Sequence, residues 1–273
     1  MARVLQISDT HLSRTKPHFA ANWPPLRDWT VQQDADLIIH TGDLTVDGAD
    51  SEEDMREGAE LMRSLRAPFV AVPGNHDVGE AGNPHQPVNA ERLDRWRRHF
   101  GADWWSHDLE NWRLIGIDSM LFGSESDEVR QFEWLHQMVS TTGGRRIAWF
   151  THRPLFIESP NEGDTGYWSV KPGPRARLLD LVDRYDVALI ATGHLHKWRN
   201  DLINRCRYVW CPSSGFLVGP DNQSEMPGEK RLGAVIYEFR GSDVLITAAE
   251  VPGLTTLWID DVLHEVYPPR HAA

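Results

Sequence analysis

Short apolar runs rich in valine and isoleucine recur along the first two thirds of this chain, separated by segments with helical periodicity. Runs of this length and composition are typical of β-strands that are buried on both faces. The six clearest are Val4–Ile7, Leu37–Ile39, Phe69–Val72, Leu114–Ile117, Ile147–Phe150 and Val187–Ile190. The alternation predicts an α/β fold in which helices cover the faces of a sheet.

The intervening segments carry the usual signals of helix starts and apolar stripes. Ser51 is followed three residues later by Asp54, which resembles a capping box, and apolar side chains at helical spacing come next. Residues 90–100 and 128–139 also have helical patterns with more polar faces. Pro174 is well placed as the first residue of a fourth helix.

The C-terminal portion, residues 203–268, differs because it is rich in strand-like segments joined by turns. Strands are predicted at Arg207–Cys211, Leu232–Phe239, Val244–Ala249 and Thr256–Ile259. Two packed sheets with helices outside satisfy both parts of the chain. Since no internal repeat and no long linker is present, we expect a single domain over residues 1–273.

Charge and hydropathy narrow the range of partners. The 273 residues include 28 Lys+Arg and 40 Asp+Glu, a net charge of −12, which argues against binding to a nucleic-acid polymer or an anionic membrane. No apolar run approaches the roughly 18 residues that span a bilayer, and the N-terminus lacks the layout of a signal peptide. We therefore expect a cytoplasmic protein, whose Trp-rich C-terminal third could form a homo-oligomer interface.

Five of the apolar runs lead directly into side chains of metal-ligand type. In an open α/β sheet, ligands bind at the carboxyl ends of the strands, so these side chains should meet at one edge. Each motif alone is common, but five in conjunction predict a metal site. They are Asp9-Thr10-His11, Gly42-Asp43, Gly74-Asn75-His76-Asp77, Thr151-His152 and Gly193-His194-Leu195-His196.

The number of candidate ligands predicts two metal ions. Seven donors exceed the three or four that one transition metal usually takes, whereas two metals sharing a carboxylate fit the count. Oxygen and nitrogen donors without thiolate suit Mn, Fe, Zn or Co. The seven are Asp9, His11, Asp43, Asn75, His152, His194 and His196.

The order of these motifs resembles the calcineurin-like metallophosphoesterase superfamily, and within it the bacterial class III cyclic-nucleotide phosphodiesterases and the glycerophosphodiesterases. The resemblance spans residues 5–196 and is weaker in the β-rich remainder. It implies a four-layer αββα sandwich of two mixed β-sheets flanked by helices. It also implies a metal-dependent phosphoric ester hydrolase.

The resemblance further implies a role for each motif residue. One metal would take Asp9, His11, Asp43 and His196, and the other Asp43, Asn75, His152 and His194. His76 matches the non-ligand histidine beside the phosphate, and Asp77 is its neighbour. Purple acid phosphatases of the superfamily carry a tyrosine where this chain has Val46, so a tyrosinate–iron site is not expected.

We therefore predict a phosphodiesterase that hydrolyses a small diester, of the cyclic-nucleotide or glycerophosphodiester type, through a hydroxide bridging the two metals. His76 would stabilise charge on the phosphate and the leaving group, and Asp77 would either orient His76 or serve as a structural carboxylate. A phosphomonoesterase or nucleotide pyrophosphatase using the same site remains open. The acidic balance disfavours a nuclease, and the complete donor set disfavours a non-catalytic scaffold.

Side chains outside the motifs could contact the substrate or simply pack their loops. Three of the six belong to the long polar stretch at residues 158–173, which could overhang the site. The candidates are Arg153, Tyr167, Trp168, Lys171, Arg175 and Trp198.

Overall fold

Two β-sheets organise the computed structural model, which describes residues 1–223 and 225–268. The strands of the described residues are β1 (Ala2–Ile7), β2 (Leu37–His40), β3 (Phe69–Ala71), β4 (Trp105–Leu109), β5 (Trp112–Ile117), β6 (Arg146–Thr151), β7 (Val187–Thr192), β8 (Arg199–Ile203), β9 (Cys206–Trp210), β10 (Ala234–Arg240) and β11 (Asp243–Ala249). The α-helices are α1 (Trp23–Gln32), α2 (Glu52–Arg63), α3 (Asn75–Val78), α4 (Ala90–Phe100), α5 (Ser126–Ser140), α6 (Pro172–Tyr185), α7 (Pro220–Gln223) and α8 (Ile259–Val266). No helix in these described ranges is long and apolar enough to cross a bilayer.

Both sheets are mixed. The first has the order β11-β10-β1-β2-β3, in which β1, β2 and β3 are parallel and β10 runs antiparallel to β1. The second has the order β4-β5-β6-β7-β9-β8, with a parallel centre and antiparallel edge strands. The parallel strands of each sheet therefore end at a common edge, where the polar motifs follow them.

The sheets pack face to face and helices cover their outer faces. Side chains of β2 and β10, such as Leu37 and Val235, share a buried cluster with Leu114 and Phe150 of the second sheet. The helices α1 and α2 pack on the first sheet, and α5 and α6 on the second. The predicted four-layer αββα sandwich is confirmed. The core common to both sheets supports our proposal that the chain forms one domain.

Local sequence signals account for most of the elements. All six apolar runs lie in strands, apart from the last residue of the Phe69–Val72 run, which follows β3. Ser51 caps α2, since its hydroxyl accepts a hydrogen bond of 3.1 Å from the backbone N–H of Asp54. Helix α6 begins at Pro172, two residues before the predicted start.

The predicted strand at Thr256–Ile259 is wrong. Within the described residues, Trp258 makes an isolated bridge to Leu217, and Ile259 begins helix α8. Ile259 and Val266 lie on one face of that helix and bury against Phe19. Two aspartates in its first turn suit the positive end of the helix dipole. The C-terminal portion thus contains a helix as well as strands, and this helix proves important for the site.

Candidate metal centre

All seven predicted donors meet at the edge where β1, β2, β6 and β7 end. Their side chains come from both sheets, so the site lies across the junction between them. Each of the seven residues is at most 7% exposed. Carboxylates and imidazoles buried this deeply need a compensating charge or a full set of partners.

The backbone turns sharply at most of these donors. Nine non-glycine residues of the described chain have a positive φ, and five of them are predicted ligands with φ between 45° and 70°. This left-handed conformation costs about 1–2 kcal/mol for a residue with a Cβ atom, and such strain collects at functional sites. It redirects each side chain from the strand into the site. The five are Asp9, His11, Asp43, His194 and His196.

Two glycines permit the close approach of neighbouring segments around the donors. A Cβ atom on Gly74 would overlap the side chain and backbone of Asp43, and one on Gly193 would overlap Ser8. The clash at Gly74 includes the backbone nitrogen of Asp43, and the clash at Gly193 includes the Asp9 Oδ2 atom of a predicted ligand at 2.7 Å. Glycine at these positions therefore reflects the packing of the site.

The first group of donors consists of Asp9, His11 and His196. The His196 Nε2 atom is 3.4 Å from the His11 Nε2 atom and 3.4 Å from the Asp9 Oδ1 atom. Two ligand atoms that bind one tetrahedral metal at about 2.1 Å lie about 3.4 Å apart. These three side chains can therefore hold one metal ion.

The second group is centred on His152. Its Nε2 atom lies 3.3 Å from Asp43 Oδ2, 3.3 Å from Asn75 Oδ1 and 3.2 Å from His194 Nδ1. Asp43 Oδ2 also lies 3.9 Å from His11 Nε2 in the first group. Asp43 is thus placed between two sites that can each hold a metal ion.

Backbone carbonyls determine which nitrogen of three imidazoles carries the proton. A carbonyl only accepts, so the ring nitrogen facing it must be the N–H, and the opposite nitrogen presents a lone pair to the site. The pairs are His152 Nδ1 with Thr41 O (2.8 Å), His194 Nε2 with Tyr167 O (3.0 Å) and His196 Nδ1 with Phe216 O (2.7 Å).

The inward nitrogens face each other, which fits a cation between them. Burial lowers the pKa of His11 and of His194 well below the usual range, so these rings resist protonation. Burial also disfavours a charged His152, but Asp43, together with Asp9 and the Thr41 carbonyl, raises the pKa of His152 to about 9. A metal ion bound here would replace the His152 proton. Nitrogen and oxygen donors of this kind fit transition-metal ions.

His76 lies at the open side of the donors. Its backbone N–H donates to Asp43 Oδ1 at 2.9 Å, and its Nε2 atom is 4.0 Å from Asp43 Oδ2. Its side chain keeps 19% of its surface exposed, whereas the Asp43 side chain keeps 3%. His76 can therefore face a bound molecule that Asp43 cannot reach.

Asp77 is a buried structural carboxylate in this arrangement. It accepts hydrogen bonds from the backbone N–H groups of Gly74, Leu44 and Thr45 and from the Thr45 hydroxyl, at 2.7–3.1 Å. These bonds tie the loop that carries Asp43 to the start of α3. In the described ranges no hydrogen bond joins Asp77 to the His76 ring. Of the two roles expected from the sequence, the structural one fits these contacts.

Replacing Asp77 with Asn should destabilise the protein by about 2–4 kcal/mol, because the amide NH₂ would face backbone donors that need an acceptor. Burial and the nearby Asp43 raise the pKa of Asp77 to about 6, yet its four donors still require acceptor oxygens. Denaturant unfolding measures the change. Asp36→Asn, which alters an aspartate that accepts from the backbone N–H of Arg3 at the surface, is the control. Equal stability of the two variants would contradict the assigned role.

Asn75→Ala should weaken the second metal at least about tenfold and leave the first in place. The variant removes the Oδ1 atom beside His152 and the hydrogen bond from Asn75 Nδ2 to the Tyr167 hydroxyl. Metal content after dialysis, together with a Mn²⁺ titration, measures the effect. Asn200→Ala on β8 removes an equivalent amide that contacts Arg207 and serves as the control. Full occupancy of both sites in Asn75→Ala would refute the ligand assignment.

The other sequence candidates divide into site and packing residues. Tyr167 lies at the site, with its ring 4.6 Å from that of His194. Arg153 pairs with Glu80 and lies 5.5 Å from the Tyr167 ring centroid, so its guanidinium is already partnered. Trp168 adjoins an apolar cluster, and its ring also lies 6.1 Å from that of His194. Trp198 adjoins another apolar cluster, buried Arg175 donates to loop carbonyls, and Lys171 is exposed just before α6.

Sequence reasoning missed Tyr267, which follows α8. Its hydroxyl lies 2.8 Å from His11 Nδ1 and its ring stacks on His76. No motif surrounds this tyrosine, and it is distant in sequence from the last metal-ligand motif. Only the packing of α8 brings it to the site.

Comparison with known proteins identifies the family to which the chain belongs. Residues 2–198 match the family model described as calcineurin-like phosphoesterase, and the chain belongs to that family of phosphoric ester hydrolases. The chain is 27% identical over 248 residues to the probable glycerophosphodiester phosphodiesterase GpdQ of Arcobacter nitrofigilis. This alignment covers 83% of each chain. It is 30% identical over 164 residues to the 3',5'-cyclic adenosine monophosphate phosphodiesterase CpdA of Escherichia coli K12, covering 56% of each.

Phosphatases are also among the similar proteins. The human serine/threonine-protein phosphatase CPPED1 is 29% identical over 174 residues, which is 59% of this chain and 54% of that protein. The alignments thus span little more than half of CpdA and CPPED1. The solved structure of purple acid phosphatase PPD1 from yellow lupin has a TM-score of 0.69 at 15% identity, covering 94% of this chain and 52% of that one. This likeness supports the fold alone.

Proposed function

We propose that this protein hydrolyses a small phosphodiester with two transition-metal ions, drawn from Mn, Fe, Zn and Co, held by the seven donors. The observation that carries the proposal is the arrangement of the buried imidazoles. Three of them donate their outer N–H to backbone carbonyls, and their inner nitrogens converge with Asp9, Asp43 and Asn75. This arrangement suits metal binding far better than it suits an apolar core.

The charge of the site supports an anionic substrate. Two divalent ions would outweigh the charges of Asp9 and Asp43, so a phosphate could be attracted although the chain carries −12. Ions bound at such a pair of sites activate water and stabilise the charge that develops during in-line attack on phosphorus. The chain itself supplies the geometry: Asp43 lies between the two groups of donors, and its Oδ1 atom accepts from the backbone of His76.

His76 is the residue that we assign to the reacting phosphate. Its Nε2 atom lies on the exposed side of Asp43, where it could donate a hydrogen bond to a phosphate oxygen or to the departing alcohol. Asp77 acts indirectly: its hydrogen bonds to Leu44 and Gly74 hold the loop that carries Asp43 against the turn that carries His76.

The names of the relatives support a diester substrate. GpdQ is named for glycerophosphodiesters and CpdA for a cyclic nucleotide, and the alignment with GpdQ covers most of both chains. The likeness to CPPED1, which is named a protein phosphatase, favours a phosphomonoesterase as the second candidate. A cytoplasmic location and a homo-oligomer stay predictions from the sequence.

Paired rate measurements separate the two candidates. With Mn²⁺ present, kcat/KM for bis(p-nitrophenyl) phosphate should exceed that for p-nitrophenyl phosphate by about tenfold or more. Chelator-treated protein is the control and should hydrolyse neither. A preference for the monoester would support the phosphomonoesterase, and no hydrolysis of either ester by metal-loaded protein would overturn both. Glycerophosphodiesters and cyclic nucleotides would then be compared as substrates.

A further inference from the structure

The C-terminal helix α8 carries a tyrosine into the metal centre. Ile259 and Val266 bury their side chains in a cluster with Val46 and Phe216, next to the site. The Lys16 ammonium donates to the carbonyl oxygen of Val266 at 2.8 Å and anchors the end of the helix. These contacts define the position of the next residue, Tyr267.

Tyr267 contacts two residues of the centre in different ways. Its hydroxyl oxygen lies 2.8 Å from His11 Nδ1. Its ring stacks on the His76 imidazole, with the centroids 4.4 Å apart and the planes at 29°. Tyr267, His76 and Lys16 also line one cavity of about 390 Å³ that opens beside the donors. Tyr267 thus forms part of the wall along which a substrate would approach His76.

The hydrogen bond to His11 has a defined direction if His11 binds a metal. His11 Nε2 points into the site, 3.4 Å from His196 Nε2, so it must present its lone pair to a cation. The proton then resides on Nδ1, and this N–H group donates a hydrogen bond to the Tyr267 hydroxyl oxygen. Backbone carbonyls perform this function for the other three histidines, and in His11 a side chain takes their place.

We propose that Tyr267 is a positioning residue for both parts of the centre. Its oxygen holds His11 in the orientation and tautomer that bind the first metal, and its ring holds His76 toward the substrate. The second half rests on the role that we propose for His76. The first half concerns metal binding alone and is independent of the reaction.

Two substitutions separate the two contacts. Tyr267→Phe keeps the ring and removes the oxygen, whereas Tyr267→Leu keeps apolar bulk beside α8 and removes the ring. The control is Tyr185→Phe, because the Tyr185 hydroxyl makes a similar bond of 3.0 Å to His136 Nε2, a histidine outside the site. Mn²⁺ and Zn²⁺ titrations without substrate give the affinity of each site. Turnover of bis(p-nitrophenyl) phosphate at saturating metal gives kcat.

Tyr267→Phe should bind one of its two metals about 10–100-fold more weakly, as for other hydrogen-bond partners of metal ligands. Tyr267→Leu should lose the same affinity and, in addition, at least about tenfold in kcat, because His76 is no longer held in place. Tyr185→Phe should match the unsubstituted protein in both measurements.

Unchanged metal affinity in Tyr267→Phe would overturn the inference for His11. Equal kcat at saturating metal in Tyr267→Phe and Tyr267→Leu would overturn it for His76. If Tyr267→Leu does not fold, as judged by circular dichroism, Tyr267→Phe still decides the hydrogen bond. If the unsubstituted protein hydrolyses no diester but Tyr267→Phe loses metal, the proposed function fails and the inference for His11 stands.

Discussion

Asp43→Asn is expected to lose metal from both sites and to reduce diester turnover by about a thousandfold, on the order of 4 kcal/mol in activation free energy. Asp43 Oδ2 lies 3.3 Å from His152 Nε2 and 3.9 Å from His11 Nε2, so it is the donor that serves both groups. Asparagine is neutral, so two cations placed this close together would lose the negative charge of Asp43 that offsets their repulsion. Its remaining oxygen could still accept from the His76 backbone, so the local fold should be kept.

The measurement combines elemental analysis of dialysed protein with initial rates on bis(p-nitrophenyl) phosphate. Asp103→Asn is the matched control, since Asp103 is a buried carboxylate that pairs with Arg97 at 2.8 Å outside the donor groups. The control should become less stable yet retain both metals and its activity. Two tightly bound metals and normal turnover in Asp43→Asn would show that Asp43 does not link the sites.

His76→Ala is expected to retain both metals and lose about 10²–10⁴-fold in kcat, the usual contribution of a residue that transfers or donates a proton. His76 contacts Asp43 through its backbone, and its ring lies on the open side of the donors. Removing the ring leaves the seven donors in place. It removes the only imidazole of the described site that keeps more than a tenth of its surface exposed.

Metal content distinguishes this role from direct ligation. His76 can also form a metal-holding group with His11 and Asp43, whose donor atoms lie within 4.8 Å of one another. If metal and activity fell together in His76→Ala, His76 would be a ligand or a structural residue. The control is His136→Ala, which removes a histidine that bonds Tyr185 away from the site and should change neither quantity.

The fold could be predicted where burial follows from local composition. The continuous apolar runs of β1, β2 and β7 are explained by strands with both faces covered, and such a pattern is visible in the sequence alone. The segment at Thr256–Ile259 was assigned wrongly because a short apolar run suits a strand and the start of a buried helix equally well. In the structure, Ile259 packs against Phe19 and Phe216 as the first residue of helix α8, so tertiary packing favours the helix.

The sequence alone predicted the donors of the candidate centre, because side chains of metal-ligand type follow strands whose carboxyl ends must share one edge of a sheet. The tertiary structure decided how these donors are held. The left-handed turns at Asp43 and His194, the carbonyls that select each tautomer and the approach of Tyr267 leave no mark on side-chain pattern. Backbone oxygens look alike in every sequence, and only folding places a particular one against a particular ring.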